Sequence, residues 1–247
     1  MKKTTLFLAG ICSCLSISAN ADSQVSVYYP GKKEISIVSH AANLSQLVAS
    51  PALQGKTWWP GTVISDKLAT AVAEQQYQQL MARLKGYAAQ SSGEKAAAIN
   101  NVIQQLSAIK VTGRLPANLD PDWLRMRPEL NRRLEGEYSV YTLPKPNSVT
   151  LFGAITGSGK VSWQPGGDTR DYLDGHDRLD GADRNIAVVI APSGDVTEAP
   201  VAYWNHRYVE VEPGSIIYIG FSSWSLPAAY KDLNQQIISV LTHRIPD

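Results

Sequence analysis

Apolar and polar residues alternate in short runs in two parts of the chain. Gln24–Tyr29 alternates, turns at Pro30-Gly31, and alternates again over Glu34–Val38. Two such runs about a Pro-Gly turn predict a β-hairpin. Asn43-Leu-Ser-Gln-Leu-Val48 predicts a short helix after it. The same succession returns a hundred or so residues later. Val149 and Leu151 lead through Ala154 and Ile155 into a Gly157-Ser-Gly-Lys160 turn. Val161-Ser-Trp163 then alternates and stops at Pro165-Gly-Gly167. Asp168-Thr-Arg-Asp171 has the form of a helix start, Asp168 as cap and Asp171 at the capping-box position. Only Tyr172 and Leu173 follow before Gly175, so that helix is short. Ile186–Ile190 is the next predicted strand, closed by Pro192-Ser-Gly194, and Tyr208–Val211 leads toward the last one, Ile216–Ile219. Leu134–Tyr141 aligns with Val211–Tyr218, so each half ends on a comparable strand.

Hairpin, short helix, strand and final strand thus occur twice. The order predicts an α+β fold of two tandem β-grasp domains, residues 22–145 and 146–225, joined at Leu143-Pro-Lys-Pro-Asn147. The first copy is interrupted. From Ser65 to Ala108 the composition shifts to Ala, Gln, Leu and Lys. Leu68, Val72, Tyr77, Leu80, Met81 and Leu84 fall at helical spacing, as do Ile99, Val102, Ile103, Leu106 and Ile109. Ser91-Ser-Gly-Glu94 has the form of a capping box between them. An antiparallel helical hairpin is therefore predicted as an insertion over 65–109, its apolar stripes buried as core. Ile109-Lys-Val-Thr-Gly113 reads as a strand ending at Gly. Beyond 225, Leu226-Pro-Ala-Ala-Tyr230 opens a C-terminal amphipathic helix over 226–247, with Tyr230, Leu233, Ile237, Val240 and Leu241 on one face. Its other faces are too polar for a lone membrane span, which predicts packing on the second domain of the same chain and a monomer.

Composition changes this picture at one end only. Met1-Lys-Lys, the apolar run Leu6–Ile17 and Ala19-Asn-Ala21 together form a secretory signal peptide over residues 1–21. Ile11 stands before Cys12, where a lipid-modified cysteine has a small residue, so cleavage after Ala21 is the reading taken. Cys12 and Cys14 are the only cysteines and leave with that segment, so no disulfide or thiol chemistry is expected. No later stretch reaches the ~18 apolar residues of a span. The 23 basic and 22 acidic residues nearly balance, which argues against a nucleic-acid partner.

Candidate chemistry is sparse. Aspartates recur every third residue from Asp168 to Asp183, among Arg170, Arg178 and Arg184. The alternate-residue ligands of a calcium loop are absent, which predicts a solvated, internally paired loop. His40, His176, His206 and His243 show no metal-ligand spacing, so no metal and no cofactor are expected. No nucleophile elbow or other catalytic motif stands out, so no catalytic residue is named. Trp58-Trp59-Pro60-Gly61 is either a platform on which sugar rings stack or a corner packed under the helical hairpin. Trp163, Tyr203 and Trp204 read as sheet residues. Arg114, after the strand-ending Gly113, presents a rigid fork of donors suited to carboxylates or sugar hydroxyls; the alternative is a surface salt bridge with Asp120 or Asp122. As a ligand anchor, Arg114 would be removable with little loss of stability. The ligand-binding candidates are Arg114, Trp58 and Trp59.

Val149-x-Leu-x-Gly153, Val161-x-Trp-x-Pro-Gly166, Tyr172-Leu173 and Val211-Glu-Pro-Gly-Ser-Ile-Ile-Tyr218 resemble the soluble-ligand-binding β-grasp (SLBB) domain of Wza-type polysaccharide export proteins. Taken with the helical insertion, nearly the whole chain beyond residue 21 resembles the GfcC family of the group 4 capsule system. That resemblance implies a periplasmic, non-enzymatic role in capsule or exopolysaccharide assembly or export. The implied partners are capsular polysaccharide, outer-membrane polysaccharide export proteins, or both. A polysaccharide-modifying enzyme such as a glycan hydrolase is the alternative.

Overall fold

The first half of the chain folds as its alternation requires. In the computed structural model, which describes residues 23–55 and 57–246, β1 (Ser23–Tyr28) and β2 (Ile35–Ser39) form an antiparallel hairpin. The signal peptide assigned to residues 1–21, with Cys12 and Cys14, lies outside the described residues. Asn43 caps α1 (Leu44–Val48) by accepting a bond from the Gln46 N–H at 3.0 Å. β3 (Val63–Asp66) follows, then the helical insertion, α2 (Lys67–Ala89) and α3 (Gly93–Ser107), and after it the short α4 (Pro121–Met126). β4 (Gly136–Tyr141) closes the sheet in the order β2-β1-β4-β3, with β1 and β4 parallel. Val25, Val27, Ile64 and Val140 point inward onto Leu44, Leu47, Leu119 and Leu124.

The second half repeats this plan. β5 (Ser148–Gly153) and β6 (Gly159–Ser162) make the hairpin, and a single 3₁₀ turn, Asp171–Leu173, stands where the first half has α1. β7 (Ile186–Ile190), β8 (Val196–Pro200) and β9 (Ile216–Ile219) complete the order β6-β5-β9-β7-β8, with β5 and β9 parallel. The first four positions match the first sheet; β8 is an added edge strand. α5 (Leu233–Thr242) ends the fold. It begins later than Leu226, after a separate 3₁₀ turn at Ala228–Tyr230.

Several local expectations change. Ser65 and Asp66 belong to β3, so the helices start at Lys67; Asp66 is the cap, accepting from the Ala69 N–H at 2.8 Å. The capping box at residues 91–94 does not form. Ser92 is the cap residue, which places Glu94 at the second helical position instead of the third, and Ser91 Oγ donates to the Tyr87 carbonyl. Asp168 does not cap a helix: its Oδ1 accepts from the Val209 N–H at 2.9 Å, and its Oδ2 lies 2.6 Å from His206 Nε2. Asp171 does return to the Asp168 N–H, at 3.3 Å. Tyr208–Val211 makes only an isolated bridge, Asp168 with Glu210.

The largest departure concerns where the insertion is buried. Leu80, Leu84 and Tyr87 of α2, with Ile99, Val102 and Leu106 of α3, share one apolar cluster with Val149, Leu151, Ile217 and Tyr218 of the second sheet. Leu233, Ile237, Val240 and Leu241 of α5 belong to the same cluster. None of these side chains belongs to the cluster under the first sheet. Most of each stripe is core, as predicted, but it is the core of the other half; Leu68 and Val72, at the start of α2, are exposed at 81% and 55%. Each such side chain contributes about 1.5–3 kcal/mol on burial. Aromatic contacts lock the junction: Tyr87 stacks on Tyr230 at 4.6 Å and meets Phe221 edge-on at 6.2 Å. Tyr218 is wholly buried, which pushes its hydroxyl well above the ordinary tyrosine pKa, and its Oη donates to Asn234 Oδ1 at 2.9 Å.

Polar groups add direction. Gln105 of α3 offers its amide edge to β5, Oε1 accepting from the Gly153 N–H at 2.8 Å and Nε2 donating to the Gly153 carbonyl at 2.9 Å. The segment after α3 is not the strand expected over Ile109–Gly113, yet it is bonded on both sides. Toward the C-terminus, the Thr112 N–H donates to the His243 carbonyl at 2.8 Å and the Ile245 N–H to the Lys110 carbonyl at 2.7 Å. Toward the first sheet, the Asp66 N–H donates to the Gly113 carbonyl at 3.0 Å and the Leu115 N–H to the Ile64 carbonyl at 2.9 Å. Only glycine fits at 113, since a Cβ there would lie 2.2 Å from backbone atoms of Ala69 and Thr70.

Gln105→Ala removes both side-chain partners of a buried strand end. It should lower the free energy of unfolding by about 1–3 kcal/mol, read as a shift in urea midpoint. Gln104→Ala, one residue away and exposed, should move it by no more than about 0.5 kcal/mol.

Candidate functional site

The backbone of Arg114 bridges to Ser65 of β3, but its side chain reaches the other sheet. Nη2 donates to the Pro192 carbonyl at 2.5 Å, in the turn between β7 and β8, and Nη1 lies 3.4 Å from the Thr242 carbonyl at the end of α5. Gly194, at φ +94°, lets the guanidinium lie flat on that turn, because a Cβ there would stand 3.1 Å from Cζ. Burial pushes the Arg114 pKa down to about 10, and Asp195 partly opposes the shift. The group stays cationic at neutral pH. The salt bridge with Asp120 or Asp122 does not form, because both carboxylates are used locally. Asp120 caps α4 by accepting from the Asp122 N–H at 2.8 Å, and Asp122 pairs with Arg125 at 2.9 Å.

The tryptophan pair divides. Trp58 packs its ring on Gly61, where an added Cβ would lie 2.8 Å from it, and its backbone N–H donates to the Leu143 carbonyl at 2.8 Å. Trp59 starts a 3₁₀ turn over Trp59–Gly61, rests partly on the first core, and turns its remaining surface to a groove. Neither ring sits in the cluster that holds the helical hairpin. The corner reading is therefore corrected: the hairpin lies over the second sheet, out of range of this turn.

Trp59 and Arg114 line the same groove, a trough of about 700 Å³ between the two halves. Trp58 does not line it. Thr62, Asn118 and Asp120 contribute from the first half; Ser193, Asp195, Glu212 and His243 from the second. The second-half residues lack any sequence signal that joins them to Arg114. Only the Pro192-Ser-Gly194 turn hinted at a surface there, and it read as a strand stop. Ser193 Oγ donates to Asp195 Oδ2 at 2.8 Å, and His243 Nδ1 faces the Ser239 carbonyl at 2.8 Å and so donates to it. An indole face, three carboxylates and hydroxyl groups in an open trough suit a ligand that both donates and accepts hydrogen bonds.

Elsewhere, His206 and Asp168 form a histidine–carboxylate pair outside this groove, where Asp168 also holds the Val209 N–H. No group of three or more His, Cys, Asp or Glu is arranged to hold a metal among the described residues. No helix among them is long and apolar enough to cross a membrane.

Two family models match the chain: capsule biosynthesis GfcC, N-terminal, over residues 21–145, and capsule biosynthesis GfcC C-terminal, over residues 157–246. A protein of Escherichia coli (strain K12) described as uncharacterized protein YjbG is 47% identical over 238 residues, 94% of this chain and 96% of that protein.

The geometry reverses the expectation that Arg114 can be removed freely. Arg114→Ala strips the Pro192 carbonyl of its charged donor across the junction. It should cost about 1.5–3 kcal/mol of stability and increase proteolytic nicking in the 191–195 turn. Arg114→Lys should recover only part, since a single ammonium cannot replace the planar fork.

Proposed function

The chain belongs to the GfcC capsule biosynthesis family, and we propose that it serves capsule or exopolysaccharide assembly or export as a periplasmic binding protein rather than an enzyme. The observation that carries this reading is the trough between the two halves. A pyranose ring has an apolar face for Trp59 and hydroxyls that can donate to Asp120, Asp195 or Glu212. Arg114 acts there as a fixed wall, its guanidinium already engaged with backbone carbonyls. Ala19-Asn-Ala21 behind an apolar run supports export to the periplasm. The partners proposed are capsular polysaccharide, the outer-membrane export proteins, or both.

A glycan hydrolase is the second reading. It is favoured by the presence of several carboxylates in one trough, since glycoside cleavage needs a pair of them. The two readings separate in one set of measurements. Deleting the gene should lower surface polysaccharide, and purified protein incubated with that polymer should leave its length distribution unchanged. Unaltered surface polysaccharide in the deletion strain would contradict the capsule role; reproducible shortening of the polymer would transfer the proposal to the hydrolase.

A further inference from the structure

The loop that carries the aspartate series lacks the close ion pairs expected of it among the described residues. Asp183 Oδ1 accepts from the Asn185 and Ile186 N–H groups at 2.8 and 3.1 Å, and Asp174 Oδ1 from the Gly175 N–H at 3.1 Å. Among the described residues no ion pair joins these aspartates to Arg170, Arg178 or Arg184. The loop instead surrounds a basin of about 790 Å³ lined by Arg170, Arg178, Arg184, Asp171, Asp174 and His176. None of the residues lining it lines the trough that holds Trp59 and Arg114. Burial pushes the Arg178 pKa down, the nearby Asp183 charge opposes that shift and Arg184 adds to it, and Arg178 Nε is buried with no hydrogen-bond partner. His176 Nδ1 donates to the Thr156 carbonyl at 2.8 Å, which leaves Nε2 as an acceptor or donor for something else.

Two turns bearing exposed aromatic rings are bonded to this loop. The first follows Val201, itself part of the basin wall: the Val201 N–H donates to the Asn185 carbonyl at 2.9 Å, as does Asn205 Nδ2 at 3.3 Å. It presents Tyr203 at 91% and Trp204 at 74% exposure, so neither is the sheet residue expected. The second is Ser222–Ser225, held to Gly181 by the Ser222 N–H at 2.7 Å and by Ser225 Oγ at 2.9 Å. It presents Trp224 at 95% exposure. Single exposed apolar side chains need no account, but three large rings on two pinned turns beside one polar basin do. Their turns are fixed before any ligand arrives, so little ordering is lost on binding.

We propose that this face of the second half is a separate glycan-binding site, in which pyranose rings stack on Trp204 and Trp224 and their hydroxyls bond the guanidinium and carboxylate groups of the basin. The mixture of donors and acceptors is what sugar hydroxyls require, each being both. A long polymer can then be held at two places on one molecule, here and in the trough. Two linked contacts raise the effective concentration of each for the other.

The test is affinity electrophoresis in gels cast with surface polysaccharide purified from cells that carry the gene. Wild-type protein should be retarded. The double variant Trp204→Ala/Trp224→Ala should bind at least about tenfold more weakly, equivalent to about 1.4 kcal/mol, with an unchanged melting temperature because both rings are exposed. Arg184→Gln should weaken retardation as well. Trp59→Ala reports the trough independently. Wild-type retardation of the double variant would overturn the site, and so would wild-type protein that migrates freely. If Trp59→Ala alone abolishes retardation while the double variant binds normally, the trough stands and this second site falls.

Discussion

A sheet with one apolar face must be covered, and the second sheet here takes much of its cover from helices that precede it in the chain. Between its hairpin and its next strand it has only one 3₁₀ turn, Asp171–Leu173, where the first sheet has α1. α5 supplies part of the missing cover, and the α2–α3 hairpin, inserted before the final strand of the first sheet, supplies the rest. Leu84, Ile99, Val102, Leu106 and Leu241 are fully buried at that junction, and Gln105 closes the end of β5 as a neighbouring strand would. Withdrawing the hairpin would strip apolar surface from both helices and sheet together.

The trough between the halves follows from that arrangement. The stretch from Lys110 to Leu115 leaves α3 and is bonded to residues 243 and 245 on one side and to β3 on the other. Arg114 extends from it to the 191–195 turn. The walls bearing Trp59 and Asp195 therefore keep their separation through backbone and guanidinium bonds rather than through a flexible joint. A groove set in this way is preorganised, which lowers the entropy lost on binding. The same logic applies to the exposed indoles, whose turns are anchored to Gly181 and Asn185.

Much of the fold was legible in the sequence because its elements keep clean periods. Both hairpins, both final strands and the two long helices follow from alternation of 2 or spacing of 3 and 4. β8 was not legible: Val196-Thr-Glu-Ala-Pro buries only Ala199 fully, and an edge strand needs no apolar pattern. The helical stripes announced burial but could not name the surface that receives them. The site was legible only in part for a related reason. Arg114 and Trp59 stood out by type, yet the Pro192 carbonyl that holds Arg114 lies 78 residues away. Tyr203 and Trp204 read as sheet residues because alternation cannot show that Asn205 Oδ1 closes a turn by accepting the Ala202 N–H.

The hairpin is carried by the first half and buried in the core of the second, so the halves should not unfold separately. Differential scanning calorimetry of residues 22–247 addresses this directly. A single transition is expected, with calorimetric and van't Hoff enthalpies equal. Two resolved transitions, or a calorimetric enthalpy well above the van't Hoff value, would contradict that coupling.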